Sequence, residues 1–185
     1  MNLSPTFNQD QLFENLFSLT IMQRNTSTRI IMQLHRNEVN TSNLPFIVDL
    51  LKMNLPNVLA TKCFNDDNLP FREEVRNTEI GHLFEHILLE YLCQLKIAKG
   101  FSRASYAGRT RWNWIKDPRG KFHIHLNCGM KDSDILPIAI DKTVGLMKFI
   151  LLQEQQAMFP NYKLPGTYLR LTRKNGLKNG KKIKP

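Results

Sequence analysis

The chain of 185 residues is 42% hydrophobic and carries a formal net charge of +10 at pH 7, a length that suits one domain with a single core and needs no disulfide framework. Eight basic residues lie after position 162 with no acid among them, so ten net positive charges less those eight leave the first 162 residues near neutral; the charge marks a tail more than a nucleic-acid-binding body. Cys63, Cys93 and Cys128 form no CxxC pair, the N-terminus lacks a secretory pattern, and no apolar run reaches ~18 residues, which argues against a zinc knuckle, a signal peptide and a membrane span, and for a cytoplasmic protein.

In chain order, "NQDQLFENLFSLTIMQ" places Leu12, Leu16 and Leu19 on one face and predicts a first helix over residues 8–23. "STRIIMQLHR" is short and β-branched and predicts a strand. "SNLPFIVDLLKMNL" predicts a second helix with Pro45 in its first turn, "PNVLATKCF" a short strand, and "NDDNLPFREEVRN" a loop. Residues 78–97 predict a third helix, opened by Asn77 or Thr78 and closed by Gly100. "YAGRTRWNWI" and "KFHIHLNC" flank "KDPRG", which reads as a type I turn from Asp117 to Gly120 and makes the pair a β-hairpin. Alternation puts Trp112 and Trp114 on one face of the first strand; it puts Phe122, Ile124 and Leu126 on one face of the second, with His123 and His125 on the other. "SDILPIAIDKTVGLMKFILLQEQQAMF" predicts a long last helix capped by Asp134. The sum is an α+β domain over residues 1–162, two layers with a mainly antiparallel sheet and helices on one face. Residues 163–185, basic and poor in apolar side chains, read as a flexible tail.

"TEIGHLFEHILLEYL", residues 78–92, holds the chemistry. At about 100° per residue, with His82 at zero, Glu85 falls at about 300°, His86 at about 40°, Glu90 at about 80° and Cys93 at about 20°. These groups line one stripe, opposite Ile80, Phe84, Ile87, Leu88, Tyr91 and Leu95. His82 and His86, one turn apart, can reach one ion, and Glu85 beside them can serve as general base; His-x-x-Glu-His is the inverted zincin spelling.

The order Leu44-Pro45, Cys63-Phe64, "TEIGHLFEHILLEYL", "YAGRTR", "GKFHIHLN" and a long apolar helix resembles the N-terminal domain of cyanophycin synthetase. The likeness covers roughly residues 40–155. It implies a domain that handles a polymer whose aspartate backbone bears arginine side groups, and that in some members resembles a zinc peptidase cutting that polymer. No phosphate-binding loop of the GxxxxGK[ST] kind occurs, so a free-standing copy is expected not to make polymer but to cut it, bind it or act on something related. The family often has an acid followed by an aromatic where this chain has Asn127 and Cys128, which leaves the third metal ligand open.

The expected site is therefore a zinc ion on His82 and His86, with His125 favoured over Cys128 as third ligand, and Glu85 as catalytic base. Glu90, too far along the axis to share the ion, is expected to orient His86. Arg109 and Arg111, alternating onto one strand face, are expected to hold substrate carboxylates, with pairing to helix acids as the rival assignment. The expected partner is a cyanophycin-like polymer or peptide. Neither a membrane nor nucleic acid is expected, since no helix shows a basic recognition face. A binding module that kept the fold and lost the metal chemistry is the alternative.

Overall fold

The computed structural model describes residues 16–63 and 69–158, with side chains up to Leu152. Residues 17–23 form a strand where the sequence suggests a helix, and residues 8–15 of that expected helix, like the basic tail, lie outside the described residues. The reason is tertiary. β1 (Phe17–Gln23) pairs along its whole length with β2 (Thr28–Leu34), and Phe17, Leu19 and Ile21 then alternate onto one face. The same leucines satisfy a helical spacing, but the Thr20-Ile21 step and the ladder partner decide for strand.

α1 (Ile47–Asn54) follows and buries Ile47, Val48, Leu50 and Leu51. The segment expected as a short strand is instead a 3₁₀ turn over Pro56–Ala60. Among the described residues of that segment only Lys62 takes up β pairing, bridging to Pro70 just before the one-turn helix α2 (Phe71–Glu74). α3 (Ile80–Ala98) is the helix of the histidine stripe. Its start is fixed from below: Thr41 N–H donates to Thr78 O and Thr78 N–H to Thr41 Oγ1. Gly100 closes it with φ at 91°, the left-handed turn that favours glycine.

β3 (Gly108–Arg111) and β4 (Lys121–Leu126) make the expected antiparallel hairpin, and β4 returns beside β2, giving one antiparallel sheet in the order β1-β2-β4-β3. Two details differ from the sequence reading. The closing turn is displaced by one residue, with Lys121 N–H donating to Pro118 O and Gly120 at φ 80°, the third position that a type II turn reserves for glycine. Trp112 and Trp114 lie past the end of β3, where both rings pack edge-on against Phe122. α4 (Leu136–Met158) ends the described residues, packing along α3. Lys99 pairs with Asp134 just ahead of it, and Lys96 reaches the buried Asp132 at 2.6 Å, tying the end of α3 to the segment after β4.

The result is a two-layer α+β fold. Phe17, Ile21, Ile30, Met32, Phe122, Ile124 and Leu126 form the inner sheet face under α3, all at 4% exposure or less. Gly81 sets the closeness of that approach: a Cβ there would stand well inside contact distance of the buried Phe122 ring. Ala normally stabilises a helix interior by ~1 kcal/mol over Gly. Gly81→Ala is expected to reverse that sign and destabilise the fold by ~1–3 kcal/mol through overpacking, measurable by urea denaturation. Among the described residues no helix is long and apolar enough to cross a membrane.

Candidate metal centre

The turn from the 3₁₀ segment into α2 carries the site's second half. Cys63 N–H donates to Leu69 O and Phe71 N–H to Thr61 O, so residues 61–63 and 69–71 run side by side. In such extended chain, positions two apart share a side. Thr61 and Cys63 accordingly both face the histidines of α3, and Phe71 closes over them.

Cys63, His82 and His86 each bring one donor atom, all within 4.8 Å of one another. Cys63 Sγ lies 3.4 Å from His82 Nε2. Thr78 Oγ1 lies 2.7 Å from His82 Nδ1, and Thr61 Oγ1 lies 3.2 Å from His86 Nδ1. The Thr61 hydroxyl already donates to Val58 O at 2.7 Å, so toward His86 it accepts, and His86 carries its proton on Nδ1. Nε2 of His86 is thereby left with a bare lone pair, the form a metal ligand requires. The Phe71 ring stacks on His86 at 3.8 Å and meets His82 edge-on at 5.9 Å. Burial, and then the neighbouring His82, push the His86 pKa down to about 3. Burial also lowers His82, against the opposing pull of Glu74. Both rings are neutral at pH 7, and a thiol with two imidazoles is a donor set that suits zinc.

Glu85 turns the other way, toward the sheet. Its Oε2 accepts from Thr110 Oγ1 at 2.5 Å, and its carboxylate also takes the Thr110 backbone N–H. That N–H is free for it because Asn127 N–H donates to Ala107 O. Residues 107, 109 and 111 thus bond to β4, while Gly108 and Thr110 point theirs off the sheet edge. A Cβ on Gly108 would lie 2.5 Å from Glu85 Oε1, so glycine leaves the space this carboxylate fills. Burial raises the Glu85 pKa to about 7, with Thr110 and Arg109 opposing it.

The remaining expected residues are placed elsewhere. His125 is exposed on the outer face of the sheet, with Phe122, Ile124 and Leu126 on the opposite side of the strand, so it does not join His82 and His86. Cys63 takes that position. Cys128 is buried near Asp132, its thiol pushed up to about 12 by burial and then by that carboxylate. Glu90 accepts from Gln94 Nε2 at 2.8 Å, and the expected orienting of His86 falls to Thr61 instead. Arg109 and Arg111 share the outer face with His125, on the other side of the sheet from Cys63, His82 and His86. Asn127 has a structural task, accepting Ala107 N–H at 2.7 Å. Cys63 is the candidate donor that the sequence reading missed. Its trace was the Cys63-Phe64 step within the ordered motifs, which carries no spacing signal of its own.

Residues 29–116 match the family model of the cyanophycin synthase-like N-terminal domain. The resemblance read from the motifs is shown over that stretch, which carries Cys63, His82, Glu85, His86 and the Gly108–Arg111 strand and stops before β4. No curated protein matches the chain.

Proposed function

Starting from that family match, we propose that the chain is a metal-dependent hydrolase of amide bonds in a cyanophycin-like or other peptide-like polymer, with zinc held by Cys63, His82 and His86. The observation that carries this reading is the convergence of those three donors, two from one helix face and one from a separate turn, with the His86 tautomer set by Thr61. Three protein ligands leave a fourth position for water or substrate, the pattern of catalytic zinc sites. A zinc ion bound there would polarise the scissile carbonyl and ease deprotonation of a water molecule. Glu85, one residue from a ligand, is the group assigned to take the proton from that water and return one to the leaving amine. Phe71 walls the site with an apolar ring and keeps solvent from the inner side of the imidazoles.

A second reading rests on the direction of Glu85. Its oxygens are engaged by β3, outside the group of metal donors, which favours a binding module that holds polymer without cutting it. One experiment separates the two. The purified full chain is assayed for zinc by elemental analysis and for release of amines from cyanophycin, before and after chelation and after zinc is restored. The hydrolase reading expects about one zinc per chain and turnover that follows the metal. Stoichiometric zinc with no turnover, and polymer binding indifferent to the chelator, would establish the binding module.

A further inference from the structure

The outer face of the sheet carries a second feature, across the sheet from the metal cluster. In the strand register Arg29, His125 and Arg109 stand opposite one another on β2, β4 and β3, and Ile31, His123 and Arg111 form another rung of that face. Arg24 adds a further guanidinium from the turn after β1. Adjacent strands lie about 4.8 Å apart, so this is a dense group of cations. No ion pair engages Arg24, Arg29, Arg109 or Arg111 among the described residues, and Arg29 Nε is buried without a hydrogen-bond partner. Neither Arg109 nor Arg111 makes a salt bridge to a helix acid among the described residues, although the charge of Arg109 reaches Glu85 through space. Asp117, the acid at this end of the sheet, is already held by Lys121 and by His123 Nε2, each at 3.0 Å. His123 accepts from Arg29 on its other nitrogen at 3.3 Å, since a guanidinium only donates. The pKa of His125 is lowered first by burial and then by Arg29, Arg111, His123 and Arg24, the field expected of an uncompensated positive surface.

Beside Arg111 this surface opens into a cleft of about 470 Å³ lined by Thr110, Arg111, Trp112, Asn113, Asp117 and His123. Trp112 is 38% exposed there, its ring meeting Phe122 and Trp114 on one side and lining the cleft beside Arg111. A partner for this face must bring several negative charges and a flat group. We propose that the outer sheet face binds single-stranded nucleic acid, with phosphates on Arg24, Arg29, Arg109 and Arg111 and a base in the cleft against Trp112. An acidic polypeptide would satisfy the guanidiniums equally but has no use for the Trp112 ring, whereas every base has a π-face to stack. A duplex is disfavoured because none of the helices among the described residues presents a basic face to a groove. The expectation against nucleic acid looked for a basic helix; the strand register supplies a basic sheet instead. This inference is independent of the hydrolase reading, since neither the metal ligands nor Glu85 takes part.

The test is binding of labelled oligothymidylate to the full chain by fluorescence anisotropy over a range of salt concentrations. Each phosphate neutralised on a single strand contributes about −0.7 to the slope of log K against log salt. Arg109→Glu with Arg111→Glu is expected to make the slope shallower by roughly 1.4. The basic tail contributes alike to both proteins, so the difference isolates the face, and an unchanged Tm shows that both are folded. Trp112 and Trp114 are the chain's two tryptophans, so quenching of tryptophan emission by the oligonucleotide reads the base contact without any variant. Polyaspartate is expected to bind more weakly and to quench little. An unchanged slope in the double variant overturns the proposal. So does polyaspartate binding as tightly as the oligonucleotide, which would make this face an acceptor of acidic polypeptides.

Discussion

Cys63→Ala is expected to abolish stoichiometric zinc while leaving the chain folded. In this fold the thiol is one of three converging donors, and its loss leaves two imidazoles, fewer protein ligands than either structural or catalytic zinc sites use. Changing groups that merely orient ligands typically lowers metal affinity 10–100-fold, so removing a ligand is expected to lower it by ~100-fold or more. The cost to the apoprotein is small, about 1 kcal/mol for one buried sulfur atom. Competition against a chromophoric chelator gives the affinity, and circular dichroism reports the fold. His125→Ala provides the contrast. That ring is exposed on the far face of the sheet, and its removal is expected to leave zinc affinity unchanged. Loss of zinc in His125→Ala with retention in Cys63→Ala would sink the assignment of the cluster.

The second large effect is expected at Glu85. Glu85→Gln keeps the shape and an oxygen that can accept from Thr110, so fold and zinc content are expected to stay at the level of the unaltered chain. Turnover is expected to fall by ~10²–10⁴-fold, the range that proton transfer by a positioned side chain supplies. The informative measurement is zinc stoichiometry and hydrolysis on the same sample. Turnover that survives the change with zinc bound removes Glu85 from the mechanism and leaves the metal site standing. Loss of zinc along with turnover shows instead that the carboxylate supports the ligands.

Much of the frame was legible locally. Residues 121–126 alternate buried and more open positions as the sequence pattern required, because a strand's period of two follows from backbone geometry alone. The stripe on α3 was legible for the same kind of reason: His82 and His86 stand one turn apart in any α-helix. Glu85 was on that stripe by angle, yet its 300° position is the edge that meets β3, where Thr110 captures it. Angular position on a helix says which groups are near one another, and the neighbouring element decides which of them remain so.

What the sequence by itself determined was the hairpin of β3 and β4, the helices around residues 47–54, 80–98 and 136–158, and a pair of histidines able to share an ion. Only the tertiary structure decided that residues 17–23 are a strand, that Cys63 and not His125 stands beside those histidines, and that Thr61 and not Glu90 holds the second ring. The physical reason is range. Periodicity and capping act over a few residues and are written in the local pattern. Cys63 lies 19 residues before His82 in a stretch without periodicity, and it reaches the site only because its backbone bonds across to Leu69 and Phe71 sits against α3.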